Sequence, residues 1–193
     1  MADFDFAEPP EENIITYWKG IFETPVDKNP ATDPDGNRHN VDTDPVYLAS
    51  NVRGPANRNL KDISRGKTIF VPINPVAIPQ PEADPNHTVG DCIKYAKADQ
   101  DSASIATLTI DGEQYDLIDK RCRQTRPFDV NIPPNAIANL PPGRCQAVAD
   151  GRYVIIKPLP AGPHTINFKA KVDQPHKEDP PWEQDVTYHF TVR

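Results

Sequence analysis

Near the C-terminus the chain reads Gly162-Pro-His-Thr-Ile-Asn-Phe-Lys-Ala-Lys-Val172 and, after a polar gap, Asp185-Val-Thr-Tyr-His-Phe-Thr-Val-Arg193. In both segments, bulky side chains alternate with polar ones. A period of two is typical of β-strands with one buried and one wet face, and it places Phe168 and Phe190 in the core. The apolar run Gly151–Pro158 comes earlier, and a turn rich in proline and glycine follows it. We therefore predict an antiparallel β-meander at this end of the chain.

The composition indicates which structural elements and which partners to expect. The 193 residues include 23 prolines, which disfavour long helices and favour loops and edge strands. The formal charge of −7 at pH 7 makes the chain a poor non-specific binder of nucleic acid or of anionic membranes. No apolar run approaches the length of a membrane span. We expect no nucleic-acid partner and no transmembrane segment.

Two segments have the periodicity of helices. Over Glu11–Phe22 the apolar residues fall on one stripe, two prolines precede the segment and two glutamates begin it. A shorter apolar pattern begins at Val89, where Thr88 is placed to cap it. These patterns predict an N-terminal amphipathic helix and one short internal helix. Residues 1–10 are acidic and unpatterned, which predicts a mobile tail before a single domain of residues 11–193.

The middle of the chain is rich in short β patterns. Lys67–Ile73 has apolar residues on both faces, as a central strand does, and Pro72 must then lie at an end or a bulge. Asp111-Gly112 separates two alternating runs and predicts a hairpin. Further strands are predicted over Val46–Ser50 and Phe128–Ile132.

Together these patterns predict the fold class. We count about eight strands and two helices, with residues 74–85 as a proline-rich connection. Helical periodicity is missing between most strands, which argues against a parallel α/β sheet. The prediction is a mainly β protein, a single-domain antiparallel β-sandwich or jelly roll.

One loop has the composition of a calcium site. Between Lys28 and Asp44, oxygen-bearing side chains recur at alternate positions, and Gly36 allows a tight turn. The candidate ligands are Asp33, Asp35, Asn37, Asp42 and Asp44. The alternative is a series of ordinary turns, because Asp, Asn, Gly and Pro also form turns without any ion.

The three cysteines, Cys92, Cys122 and Cys145, have no Cys-x-x-Cys spacing, which argues against a zinc knuckle. If one pair is oxidised, we favour Cys122 with Cys145, because both flank strand-like segments. Three unpaired thiols are the alternative.

No catalytic motif stands out. The five histidines show no metal-binding spacing, and there is no nucleophile elbow and no phosphate-binding loop. One function hypothesis is a non-catalytic β-sandwich module that binds a carbohydrate, a protein or a cell-surface partner, with Trp182 and Tyr47 as aromatic platforms. The other is a small hydrolase, lyase or cyclase with a cavity, in which His164, Asp33 or Cys92 performs acid–base work.

The order of several short motifs resembles a family of microbial β-rich proteins, many of them secreted, for which no activity is established. The motifs are Trp18 followed by Pro25 and Asn29-Pro30, Asp33 with Gly36, Pro45–Ala49, Arg65–Asn74, Ile110–Gly112, Ala149–Leu159 and Gly162–Phe168. Similar proteins often carry two cysteines where this chain has His39-Asn40 and Asp62-Ile63, so that disulfide is missing here. The resemblance covers roughly residues 14–193 and implies one β-rich domain.

The sequence is compatible with more than one cellular compartment. The first residues lack the basic and apolar regions of a signal peptide. This fits a cytoplasmic protein equally well as a mature extracellular or periplasmic domain.

Overall fold

The computed structural model describes residues 6–51, 54–80, 86–120, 122–173 and 180–193. Within these ranges the chain forms two α-helices, α1 over Glu11–Phe22 and α2 over Val89–Asp101, and two short 3-10 turns. The strands are β1 Phe6–Ala7, β2 Val46–Tyr47, β3 Gly54–Asn59, β4 Ile69–Pro79, β5 Ala103–Ile110, β6 Glu113–Asp116, β7 Phe128–Ile132, β8 Gly143–Ile156, β9 Gly162–Val172 and β10 Trp182–Val192.

The strands form two packed sheets. The first has the order β1–β8–β4–β2, with β7 also paired to β8, and the second has the order β3–β10–β9–β5–β6. The predicted mainly β, sandwich-like domain with two helices is confirmed. The sheets are mixed rather than purely antiparallel, because β2 runs parallel to β4 and β3 runs parallel to β10. This strand order gives no support to the jelly-roll alternative.

The predicted C-terminal meander is confirmed only for its last two strands, which lie in the middle of the second sheet. The earlier run, residues 151–156, belongs to β8 of the first sheet and pairs with β4 instead of β9, because the turn after it leads the chain from one sheet to the other. β9 and β10 pair over their whole length, with Phe168 opposite Val186 and His164 opposite Phe190. Phe168 and Phe190 are both buried in the core between the sheets, as the alternation predicts. The Asp111-Gly112 hairpin is also confirmed, since both residues have positive φ angles between β5 and β6.

β4 is a central strand buried on both faces. Phe70 packs with the residues of α1, whereas Ile69 and Val71 join the core between the sheets. The pairing register of β4 with β8 shifts between Pro72 and Asn74, so Pro72 lies at a bulge as predicted. The strand then continues to Pro79, and the predicted connection over residues 74–85 is wrong for its first half.

The two helices cover different parts of the first sheet. α1 packs its apolar stripe on the outer face. α2 covers the inner face near the end of β4 and β8, where Cys92 and Ala96 contact Val76 and Val148. Thr88 forms the predicted cap, since its hydroxyl accepts the Asp91 N–H while the Asp91 carboxylate accepts the Thr88 N–H. Within the described ranges, no helix has the length and apolar character needed to cross a membrane.

The N-terminal residues differ from the mobile tail predicted for 1–10. Residues 1–5 lie outside the described part, but Phe6–Ala7 pairs with Ile155–Ile156 of β8. The Phe6 ring also packs edge-on against Tyr115, with 4.9 Å between the ring centroids. An apolar contact and two backbone pairings therefore hold this segment, which composition alone did not reveal.

All three cysteines are free thiols, so the favoured Cys122–Cys145 pairing is wrong. Arg123 donates its backbone N–H to Gly151 of β8, which places Cys122 beside the middle of that strand. Cys145 lies six residues earlier along the same strand, about 20 Å away at the usual rise of a β-strand. A disulfide requires Cα atoms within roughly 7 Å.

Candidate functional site

A groove that contains both tryptophans of the chain is the first candidate site. It lies between the C-terminal half of α1, the second half of β4 and the turn at Ile137–Asn139, and Trp182 closes one end. Its volume is about 150 Å³. We call it the tryptophan groove and define it by Trp18, Phe22, Ala77, Leu140 and Trp182.

Trp18 is the fixed floor of the tryptophan groove. Its position on the apolar stripe of α1 buries the ring, which is 8% exposed and stacks on Phe22 with 5.2 Å between centroids. Its indole Nε1 donates to the Tyr153 hydroxyl at 2.9 Å. Burial raises the pKa of Tyr153 well above its usual value, so this hydroxyl stays protonated. Trp18 therefore presents ring surface rather than a donor to a ligand.

Trp182 lines the other end of the groove. Its side chain is half-buried, and its backbone is fixed by the sheet. It begins β10 and pairs with Val172 of β9. The sequence left open whether Trp182 serves as an aromatic platform or anchors a loop. The structure places it at the groove beside Trp18, so the two tryptophans of the chain meet at one surface although they are far apart in sequence.

The backbone of β4 contributes hydrogen-bonding groups to the same groove. Gln80 donates its N–H to Gln146 of β8, and β4 pairs Ile78 with Val148, so alternate residues of β4 turn their backbone groups toward β8. The groups of Pro75, Ala77 and Pro79 therefore point to the opposite edge. Among the described residues, no strand pairs with this edge beyond Phe70. Because proline has no N–H, the edge offers three carbonyl acceptors but only the Ala77 N–H as a donor.

The polar side chains of the tryptophan groove are already engaged. The Ser50 hydroxyl shares a hydrogen bond with the Tyr17 hydroxyl at 2.8 Å. Asn51 donates to the Gly54 carbonyl at 3.3 Å and accepts from Arg58 at 3.4 Å. No described residue that lines the groove is ionisable. The lining that the structure describes is therefore mainly apolar and contains no acid–base pair.

A buried polar network holds the loop that forms one wall of this groove. Arg58 is completely buried and donates to the backbone carbonyls of Ala31, Asp33 and Ala49. It also donates to the Tyr188 hydroxyl at 2.6 Å. Backbone carbonyls are fixed acceptors, so a single guanidinium fastens the chain from Ala31 to Ala49 onto β3 and β10.

His39 and Asp33 complete the network. His39 Nε2 lies 2.9 Å from the Tyr188 hydroxyl, and its Nδ1 lies 3.7 Å from the Asp33 carboxylate, beyond hydrogen-bond distance. Burial and the neighbouring Arg58 charge lower the pKa of His39 to about 4, so the ring is neutral at pH 7. Burial tends to raise the pKa of Asp33, but the backbone N–H groups of Arg38 and Asp35 donate to its carboxylate and the net shift is downward. The arrangement therefore fastens the loop to Tyr188 of β10.

The five residues predicted to bind calcium occupy different environments. Asp33 is buried and accepts from the backbone, while the Asp44 carboxylate accepts from the N–H and hydroxyl of Thr68 at 2.9 and 2.7 Å. The remaining three, Asp35, Asn37 and Asp42, are exposed. Across the described part of the chain, no group of three or more His, Cys, Asp or Glu side chains is arranged to hold a metal ion. Calcium binding by this loop stays a prediction.

The three acid–base candidates are not brought together. The His164 ring, near the start of β9, is held between the Asp111 carboxylate at 2.7 Å and the Pro160 carbonyl at 2.8 Å. Cys92 is buried in the apolar cluster under α2, and Asp33 belongs to the Arg58 network. Each has a local structural role, so the structure offers no common cleft for them.

Comparisons with known proteins give no further guidance. No protein-family model matches the chain, and no match was found among curated proteins or solved structures. Any assignment of function therefore depends on the geometry above.

Proposed function

We propose that this protein is a non-catalytic binding module whose tryptophan groove receives an extended apolar segment of a protein partner. The observation that supports the proposal is the convergence of Trp18 and Trp182 on a groove whose described lining is uncharged, beside the edge of β4 that no described strand pairs beyond Phe70. Tryptophans supply a large apolar contact area and are enriched in interface sites that carry most of the binding energy.

The polar chemistry favours a peptide over a carbohydrate. A sugar needs several hydrogen-bonding side chains for its hydroxyls, whereas Ser50 and Asn51 already use theirs within the protein. An apolar peptide side chain needs none of these. The N–H and C=O of Ala77 can pair with one residue of an extended segment, as in strand addition. Pro75 and Pro79 limit that pairing to a single residue, which also disfavours uncontrolled edge-to-edge association of copies.

The negative charge of the chain favours a partner segment with basic residues. The formal charge is −7, and the described lining of the groove carries no charge of its own. The long-range field of an acidic protein attracts basic partners and raises their association rate. We therefore expect an apolar or aromatic anchor residue flanked by Lys or Arg.

A random peptide library displayed on phage, panned against the folded protein, tests this proposal. We expect the enriched peptides to share an apolar anchor with basic flanks. Labelled synthetic versions, measured by fluorescence anisotropy, should bind Trp182→Ala at least about tenfold more weakly, which corresponds to about 1.4 kcal/mol. Trp182→Phe keeps an aromatic ring and should retain part of the affinity.

The matched control is Ile105→Ala, which removes an exposed apolar side chain from β5 without touching the groove. It should bind the selected peptides like the parent. Equal peptide binding by Trp182→Ala, or a library that yields no consensus, overturns the proposal. Binding of a glycan panel that depends on Trp182 would assign the groove to carbohydrate instead.

A further inference from the structure

A second pocket lies on the other side of α1 and differs from the tryptophan groove in its chemistry. It is bounded by α1, by the loop after α1 and by the segment from Arg38 to Ala49, and its volume is about 350 Å³. We call it the Lys28/Arg38 pocket. Its apolar floor is formed by Tyr17, Ile21 and Leu48.

The charged groups that line the Lys28/Arg38 pocket have one sign. Lys28 and Arg38 are both exposed and both line it, whereas no carboxylate does so among the described residues. In a chain with 28 acidic and 21 basic residues, this local excess of positive charge runs against the overall balance. His39 also lines the pocket, but burial and the Arg58 charge lower its pKa to about 4, so it adds no charge at pH 7.

Two of the neutral polar side chains that line the pocket, Tyr47 and Asn40, can donate hydrogen bonds. The Tyr47 hydroxyl accepts from the Asn13 amide at 2.9 Å and has the Thr16 side chain beside it, so its own proton can turn toward Thr16 or toward a ligand. Asn40 uses its Oδ1 to accept the Asp42 N–H at 2.9 Å, which leaves the two hydrogens of its amide nitrogen. Burial raises the pKa of Tyr47, which keeps the hydroxyl a donor at neutral pH.

Two cations, two neutral donors and an apolar floor match one kind of ligand. Arg38 is also anchored, since its Nη1 lies 3.3 Å from the Thr32 hydroxyl and 3.4 Å from the Val26 carbonyl. We propose that the Lys28/Arg38 pocket binds a small organic oxyanion, a carboxylate or phosphate carried on an apolar or aromatic body. The oxyanion pairs with Lys28 and Arg38, and the body lies on Tyr17, Ile21 and Leu48.

Isothermal titration calorimetry with benzoate and phenyl phosphate tests the proposal, with benzamide as the neutral counterpart and inorganic phosphate as the anion without a body. We expect at least one of the two aromatic anions to bind and both benzamide and inorganic phosphate to bind more weakly. Lys28→Gln and Arg38→Gln should each weaken binding about tenfold, as expected for a lost charge-assisted hydrogen bond. Binding should also weaken from about 0.01 M to 0.15 M salt, since the screening length falls from about 30 to 8 Å.

Control substitutions outside the pocket test whether anion binding depends on this site. Lys61→Gln removes one exposed positive charge that does not line the pocket, and it should bind the anions like the parent. Trp182→Ala should also bind them normally, because Trp182 does not line this pocket. Lys28 makes no side-chain hydrogen bond or ion pair within the described structure, so Lys28→Gln is expected to fold even if Arg38→Gln does not. Equal affinity for benzamide and benzoate, or unchanged anion binding by Lys28→Gln, overturns the proposal.

Discussion

The guanidinium of Arg58 donates to the hydroxyl of Tyr188 at 2.6 Å, and neither side chain is exposed to solvent. Arg58 lies on β3 and Tyr188 on β10, which are parallel neighbours that pair these two residues directly. The same guanidinium reaches three backbone carbonyls of the loop that separates the two pockets. A single buried cation therefore connects the second sheet to both candidate sites.

Arg58→Met should destabilise the protein by roughly 3–5 kcal/mol, because three buried carbonyls lose their donor while an apolar chain fills only part of the space. Tyr188→Phe keeps the ring and removes only the hydroxyl, so roughly 1–3 kcal/mol is expected. Urea unfolding gives both values. Asn57→Ala, at an exposed neighbouring position on β3, is the control and should stay within about 0.5 kcal/mol of the parent. An Arg58→Met variant as stable as the parent would show that the Arg58 network does not stabilise the fold.

Two buried groups give opposite dependences of stability on pH. Burial raises the pKa of Asp150 from 3.8 to about 6, and burial with the Arg58 charge lowers the pKa of His39 from 6.5 to about 4. Between pH 4 and 6, folded Asp150 holds more protons than unfolded Asp150, so its contribution to stability falls as pH rises. Folded His39 holds fewer protons than unfolded His39, so its contribution rises with pH over nearly the same window.

The two contributions should largely cancel in the parent, and single substitutions should expose them. We expect Asp150→Asn to give a stability that rises from pH 4 to 6.5, because the Asp150 contribution no longer opposes that of His39. His39→Gln should give a stability that falls as pH rises toward 6, above the acid range in which carboxylates of lowered pKa such as Asp33 contribute. Urea unfolding at several pH values measures these slopes, and a comparison of slopes is insensitive to packing changes that are constant with pH. Parallel curves for the two variants would contradict the assignment.

The fold was predictable where periodicity decides the environment of each residue. The alternation around Phe168 and Phe190 identified the antiparallel pair of β9 and β10, and the stripe over Glu11–Phe22 identified α1 to its boundaries. Burial on one face imposes these patterns, so they are visible without tertiary information.

The second half of β4 was not predictable from the same signals. Pro75 and Pro79 indicated a connection, because proline normally interrupts a sheet. The backbone groups of Pro75 and Pro79 face the edge away from β8, so neither proline has to donate an N–H to the pairing with β8. The direction of these groups can be known only once the partner strand is known. The spacing of the two prolines was the available signal. They are four residues apart, so in a strand their backbone groups face the same edge. Similarly, the Trp18 and Trp182 positions were identified separately, but their proximity depends on tertiary packing.

Calcium binding at Asp33, Asp35, Asn37, Asp42 and Asp44 can be tested by thermal melts in excess EGTA and in millimolar calcium. If the prediction is right, the midpoint rises with calcium, because an ion that binds only the folded state adds about 2.7 kcal/mol at a hundredfold excess over Kd. Magnesium at the same concentration controls for ionic strength. An unchanged midpoint together with no heat in calorimetry would leave the loop as ordinary turns.

Phe190→Ala should cost about 3–5 kcal/mol, because the ring is buried between the sheets and the cavity left behind cannot collapse fully. Thr187→Ala removes a side chain from the opposite, half-exposed face of the same strand and should be mild. Thermal melts of both variants provide the comparison. A Phe190→Ala midpoint within error of the parent would show that the register of β10 is incorrect.

Gly151→Ala tests the close approach of β8 to β4 at the point where the edge of the tryptophan groove begins. A Cβ at Gly151 would lie 2.5 Å from the Asn74 carbonyl oxygen and 3.1 Å from the Pro75 Cα, and backbone atoms in a paired strand cannot move aside cheaply. We expect a loss at the upper end of about 1–3 kcal/mol, the usual range for overpacking. Gly90→Ala is the matched control, since its Cβ would meet only the Thr88 hydroxyl, at 3.5 Å, in the first turn of α2. There alanine should be neutral or stabilising, because it has the higher helix propensity.

A displacement of β4 by the new Cβ at Gly151 would also shift Ala77 at the groove. Gly151→Ala should therefore change the tryptophan emission of the folded protein, whereas Gly90→Ala should not. Equal stabilities for the two variants would contradict the close packing of β4 and β8 on which the groove depends.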